Sequence, residues 1–192
     1  MFALNWDCPA SSIDSLCAAL TANMATQSLF ARPLHLLAVL WFIIHIPTTL
    51  LIDIQSILPP EMAKDFPQFA KDLLQWHIKN NGDHLVRDNP VWFVTFVWCE
   101  VCLQLPFFFL AIYAYTFGRS WIRIPAIMYG VHAATTVLPM LAEFHHGGGA
   151  ANPQKGALLA MYGAYAAVPM LLALDMAVSR VPFPAAKKKK AA

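Results

Sequence analysis

Residues 91–117 read VWFVTFVWCEVCLQLPFFFLAIYAYTF and carry a single charge, Glu100. A bilayer core about 30 Å thick takes roughly 20 apolar residues as a helix. The stretch is long enough to cross, and it has no polar face to turn toward water. Three further runs share this character: Leu34 to about Leu58, Trp121 to Glu143, and Gly156 to Val178. A membrane barrel would need many short alternating segments. These runs are continuous and few, so they are helices. The expected fold is an all-α membrane protein, a four-transmembrane-helix bundle.

Composition agrees. The 192-residue chain is 58% hydrophobic and 12% charged, against roughly a quarter charged in an average soluble domain. Residues 1–31 hold no Lys or Arg and no continuous apolar run, so they do not read as a secretory signal. They are expected to form an N-terminal extension, with the membrane domain over 32–180 and a basic tail over 181–192. Cys8, Cys17, Cys99 and Cys102 do not make a secreted disulfide framework.

The long connection from Pro59 to Pro90 is polar. Within it Phe66, Phe69, Leu73, Leu74 and Trp76 suit one face of a short helix lying on the membrane. Asn80 to Asp83 reads as a turn. Gly118-Arg119-Ser120 makes a tight hairpin between the second and third helices, and Gly147 to Pro153 makes a flexible connection between the third and fourth.

Orientation follows from the basic residues. Arg32, Arg119, Arg123, Arg180 and the run Lys187 to Lys190 fall on the side of the termini. Lys64, Lys71, Lys79, Arg87 and Lys155 fall on the other side, offset by neighbouring acids. Both termini are therefore expected in the cytosol. Lys189 and Lys190 lie fourth and third from the end and resemble a dilysine signal for retrieval to the endoplasmic reticulum. The plainer alternative is a basic tail drawn to anionic headgroups, at about 1 kcal/mol per Lys.

Ionisable groups inside a span mark function by default. Glu143 and Asp175 lie near helix ends, where interfacial capping explains them. His132 suits a neutral, hydrogen-bonded role within the bundle. Asp53 and Glu100 are different. At 1.5 Å per residue they lie roughly 8 and 13 Å below the same end of their helices, close enough to meet. Gln104 is one turn beyond Glu100, and His45 two turns before Asp53. Two adjacent carboxyls in an apolar medium cannot both stay ionised, so the pair is expected to hold one proton and one negative charge. Such a pair can bind a cationic amine, can perform acid–base chemistry, or can merely lock two helices together.

Pro47, Pro106, Pro139 and Pro169 fall one to each span. Each removes a ladder hydrogen bond and favours a kink, which opens room for an intramembrane pocket. Phe96, Val97, Phe107, Tyr129, Tyr162 and Tyr165 would supply its wall, the usual make-up of a small-molecule site. Cys99 and Cys102 form a CxxC pair without further ligands at matching depth, and Glu143 with His145 and His146 reads as a loop, so no metal is expected. No phosphate-binding loop, dinucleotide motif or nucleic-acid surface is present, and no cofactor is expected.

Several ordered motifs resemble one family. His45-Ile-Pro-Thr-Thr-Leu-Leu-Ile-Asp53, Cys99-Glu100 with Leu103-Gln104-Leu105-Pro106-Phe107-Phe108, Trp121-Ile-Arg123 with Pro125-Ala126-Ile127 and Val131-His132, and Tyr162-x-x-Tyr165 with Pro169 resemble successive helices of the sigma-2 receptor branch of the EXPERA family. The resemblance covers about residues 34–180. That family also holds the emopamil-binding protein, a sterol Δ8–Δ7 isomerase. The resemblance implies a pocket opening sideways into the membrane, residence in the endoplasmic reticulum, a homodimer and a role in cholesterol handling. It implies that Asp53 binds the amine of lipophilic ligands, that protonated Glu100 hydrogen-bonds to Asp53, and that Gln104, Thr136, Tyr129, Tyr162 and Tyr165 line the pocket. Asp83 matches a lumenal acid linked to ligand binding through structure. Three functions follow: a receptor-like binding protein for sterols and lipophilic amines, a sterol isomerase, and a scaffold for another sterol-handling membrane protein.

Overall fold

The computed structural model describes residues 27–179 and 181–183. Lys189, Lys190, Cys8 and Cys17 lie outside the described residues. The helices are α1 (Pro33–Leu51), α2 (Pro60–Asp65), α3 (Gln68–Asn81), α4 (His84–Asp88), α5 (Val91–Cys99), α6 (Leu105–Phe117), α7 (Arg123–His146) and α8 (Lys155–Val178). Between α5 and α6 the chain makes a π turn over Glu100–Gln104. Four segments are long and apolar enough to cross a membrane: Pro33–Ser56, Val91–Phe117, Ser120–His146 and Lys155–Val178. The all-α, four-helix architecture read from the sequence is what the chain adopts.

Helix boundaries follow local chemistry. Pro33 and Pro60 open their helices, where a missing N–H leaves nothing unpaired. Gly82 and Gly118 close α3 and α6 in the left-handed region, at φ 64° and 62°. Pro47, Pro139 and Pro169 sit inside α1, α7 and α8. Pro106 instead occupies the first turn of α6, directly after the π turn. There the Leu105 N–H reaches back five residues to the Glu100 carbonyl. From the sequence, Pro106 falls inside a helix and a kink is expected there; the break is taken up instead as a π turn just before it. Pro106 has no N–H to continue the ladder, and the wider turn before it accommodates the break.

The bundle is built as two intimate pairs, α7 with α8 and α1 with α6, while α6 and α7 meet more sparsely, through their connecting turn and the rings of Phe107, Phe108 and Tyr129. Two apolar clusters fill it. One, toward the termini, is an aromatic mass around Phe42, Phe107, Phe108, Tyr115 and Tyr129. The other, toward the long connection, joins Leu74, Leu85 and Val86 to Phe93, Val97, Met140, Phe144 and Leu158. Because α3 and α4 contribute to this second cluster, they roof the bundle. On α3, Leu74 turns inward while Phe69, Leu73 and Trp76 remain exposed. The single apolar face expected there is thus divided between protein and lipid. The expected N-terminal extension is also folded in part, since Leu29 packs on the aromatic cluster and buried Arg32 donates to the Gln27 carbonyl.

The α7–α8 pair rests on one residue without a side chain. A Cβ at Gly130 would collide with the Pro169 carbonyl oxygen and lie 2.6 Å from the Ala173 Cβ. Both neighbours are held by helix geometry and cannot yield. Gly130→Ala should therefore destabilise the protein by about 1–3 kcal/mol through overpacking. Thermal unfolding in detergent checks this: a lowered midpoint is expected, and an unchanged one would mean that the helices do not meet here.

Candidate functional site

Below the roof lies a cavity of about 270 Å³, close to the size of small-molecule sites. Every layer contributes to its wall: His45, Thr48 and Asp53 from the first span, Leu73, Trp76 and His77 from α3, Val86 from α4, Phe93, Val97 and Glu100 from the second, Thr136 and Met140 from α7, and Tyr162 and Tyr165 from α8. Leu73, Trp76 and Met161 line it and are also exposed, so the cavity reaches the surface beside α3 and α8.

The acid pair is its polar centre. α1 ends at Leu51, and Asp53 opens a short 3-10 turn. Asp53 shares the cavity wall with Glu100, which stands at the start of the π turn. Thr49 donates its hydroxyl to Glu100 Oε1 at 2.5 Å. His45 Nε2 lies 3.4 Å from the same oxygen, while His45 Nδ1 is buried without a partner. Its ring stacks on Phe108, at 4.7 Å between centroids. His45, Thr49 and Asp53 recur at four-residue spacing, which sets one polar stripe on an apolar helix. That spacing was the available signal for Thr49, which the motif reading passed over.

Of the residues singled out from sequence, His45, Asp53, Val97, Glu100, Gln104, Thr136, Tyr162 and Tyr165 all line this cavity. Tyr129 does not. It lies in the aromatic cluster, accepts a hydrogen bond from Trp41 Nε1 at 3.2 Å and stacks on Phe107. Asp83 also stands outside the lining, one layer behind it. Leu73, Trp76 and His77 were not anticipated, because only packing shows that a surface helix covers the site.

Asp83 is fully buried and saturated with donors. Its Oδ1 caps α4 by accepting from the backbone N–H groups of Leu85 and Val86 at 3.0 and 3.3 Å. Its Oδ2 accepts from the Tyr162 hydroxyl at 2.7 Å and pairs with His77 Nε2 at 3.0 Å. Tyr162 and His77 both face the cavity, so Asp83 fixes two wall residues and fastens the roof to α8. Asn152 adds a second fastening by donating to the Asn81 and Gly82 carbonyls at 2.8 and 3.1 Å.

The remaining intramembrane acids have local partners. Glu143 pairs with His84 at 3.3 Å and accepts from the Gly148 N–H at 2.7 Å, which orders the glycine turn. At the other end Arg32 donates to His35 Nδ1 at 3.1 Å, leaving His35 Nε2–H to donate to Asp175 at 3.3 Å. Cys99 and Cys102 are free thiols. Among the described residues no three His, Cys, Asp or Glu side chains cluster as metal ligands would.

The fold and site define a multi-pass membrane protein with a half-buried carboxyl pair facing a largely apolar cavity. Residues 69–176, more than half of the chain, match the family described as EXPERA (EXPanded EBP superfamily), and the chain belongs to that family. It is 40% identical over 158 residues to sigma intracellular receptor 2 of Xenopus tropicalis, covering 78% of this chain and 91% of the relative. The human protein of the same name is 45% identical over 106 residues, covering 55% and 58%. The efficient mitochondria targeting-associated protein 19 of Saccharomyces cerevisiae is 33% identical over 111 residues, covering 52% and 65%.

Removing the Asp83 carboxylate strands the Tyr162 hydroxyl and the His77 N–H and uncaps α4. Each stranded buried donor costs about 1–3 kcal/mol and the cap about 1 kcal/mol. Asp83→Ala should therefore lower the unfolding midpoint, and Asp83→Asn should recover part of the loss by keeping an acceptor. Equal midpoints for wild type and Asp83→Ala would show that the roof is not fastened here.

Proposed function

We propose that the chain is a receptor-like binding protein of the endoplasmic reticulum membrane, taking lipophilic cationic amines and sterols in its intramembrane cavity. The observation carrying this reading is the uncompensated acid pair. Among the described residues no Lys or Arg lines the cavity; its basic side chains are His45, 3.4 Å from Glu100, and His77, which is engaged by Asp83. A buried negative charge without a cation is strongly unfavourable. A protonated amine on an apolar body supplies the missing charge, while Phe93, Phe96, Val97 and Met140 receive the body. On this reading Asp53 pairs with the ammonium, and Glu100, steadied by Thr49, keeps the shared proton.

The names of the relatives support a receptor role. The family resemblance supports a homodimer and a part in cholesterol homeostasis, while the distribution of basic residues supports a cytosolic tail and the spacing of Lys189 and Lys190 supports its acting as a retrieval signal. A sterol isomerase is the second reading. It is favoured by His45, whose imidazole stands beside Glu100 with one nitrogen unpartnered, a suitable proton carrier for acid–base chemistry.

Removing one partner of a buried ion pair costs about 3–5 kcal/mol, or roughly a hundredfold or more in affinity. Asp53→Asn should weaken equilibrium binding of a radiolabelled lipophilic amine to that extent, and Glu100→Gln should also weaken it. Full binding in both variants would remove the amine from this cavity. Expression in cells lacking sterol Δ8–Δ7 isomerase separates the second reading: an unchanged sterol profile is expected, and restored isomerisation would make the protein an enzyme.

A further inference from the structure

A second concavity of about 390 Å³ lies between α6 and α7, away from the roof. Leu103, Phe107, Pro125 and Met128 form most of its lining, and Leu103 and Met128 are more than half exposed. In a bilayer this surface meets lipid. Its polar groups are Gln104, His132 and Tyr129, and among the described residues no Asp, Glu, Lys or Arg lines it.

The imidazole of His132 is the anomaly. Gln104 Nε2 approaches His132 Nδ1 at 3.3 Å. An amide nitrogen only donates, so Nδ1 accepts and the ring proton sits on Nε2. No described residue accepts from that Nε2–H, and it is not among the fully enclosed unpaired atoms. His132 lies nine residues beyond Arg123, about 13 Å from that end of α7. This is near the middle of a hydrocarbon core of roughly 30 Å. Water does not satisfy a donor at that depth, and an unmet N–H in hydrocarbon is costly.

We infer that the groove between α6 and α7 is a second site, binding a neutral, elongated lipid through one hydroxyl or carbonyl oxygen placed at His132 Nε2. The absence of charge in the lining selects a neutral molecule, whereas the acid pair selects a cation. The length of the groove, from Pro125 to His132, accepts about 10 Å of apolar body. Gln104 lines both this groove and the acid-pair cavity. An oxygen drawn to His132 therefore acts on a residue of the cavity wall. This coupling rests on the reading of the cavity as a ligand site; the groove site itself does not.

The test uses a mid-chain octadecanone with a carbon-13-labelled carbonyl, added to the full chain in ether-lipid bilayers that contain no competing ester carbonyl. Infrared spectroscopy reads whether that carbonyl accepts a hydrogen bond. Wild type should show a second carbonyl band shifted to lower frequency. His132→Phe, which keeps the bulk and removes the N–H, should lose that band, and Asp53→Asn should keep it. Helical circular dichroism and monodisperse elution verify folding without reference to any ligand. A single unshifted band in folded wild type overturns the proposal and leaves this face to a second copy of the chain or to plain acyl chains. A shifted band that survives His132→Phe assigns the donor elsewhere and also overturns it. Loss of the band in Asp53→Asn moves the ketone to the acid-pair cavity, overturning the second site while leaving the amine reading intact.

Discussion

A carboxyl group in hydrocarbon is strongly unfavourable unless it is neutralised, paired or solvated. This chain brings two of them together. Asp53 and Glu100 meet on the inner surface of a bundle whose outer surface is suited to lipid. Their proximity allows one proton to serve both and leaves a single charge that no Lys or Arg among the described residues of the cavity wall meets. The surrounding architecture keeps that state tolerable. Thr49 donates to Glu100, His45 stands beside it, and the His45 ring stacks on Phe108 of the aromatic cluster below. The π turn begins at Glu100 and ends at Gln104, so both polar side chains reach one cavity from a stretch otherwise committed to packing.

The roof follows from the same constraint. A charged cavity open to bulk water would bind a hydrated ion as readily as an apolar amine, and α3 with α4 limits that access. Their hold on the bundle is part apolar, through Leu74, Leu85 and Val86, and part polar, through Asp83 and Asn152. Because Asp83 sits behind the wall and grips Tyr162 and His77, damage to it reaches the cavity without any contact to a ligand. A link between this acid and ligand binding is thus explicable through position alone.

Much of this was legible in the sequence, for reasons that differ by element. The four spans could be read because hydrophobic length is a property of the chain itself. Asp53 and Glu100 could be paired because depth along a helix scales simply with residue number. The π turn was not legible: Pro106 signals a break but not how the preceding turn absorbs it. Tyr129 was grouped with Tyr162 and Tyr165 by residue type, yet its rotational position on α7 points it to the aromatic cluster. The division of α3 between lipid and protein, and the approach at Gly130, depend on how helices stack, which periodicity within one helix does not encode.

The most direct test is a structure of the protein with a bromine-labelled lipophilic amine, determined by anomalous diffraction or by cryo-electron microscopy with a fiducial. The account predicts the amine nitrogen at hydrogen-bonding distance from the Asp53 carboxyl, with the apolar body running toward Phe93, Val97 and Met140. Ordered amine density anywhere else, with the cavity between Asp53, Glu100 and Tyr162 empty, would contradict it.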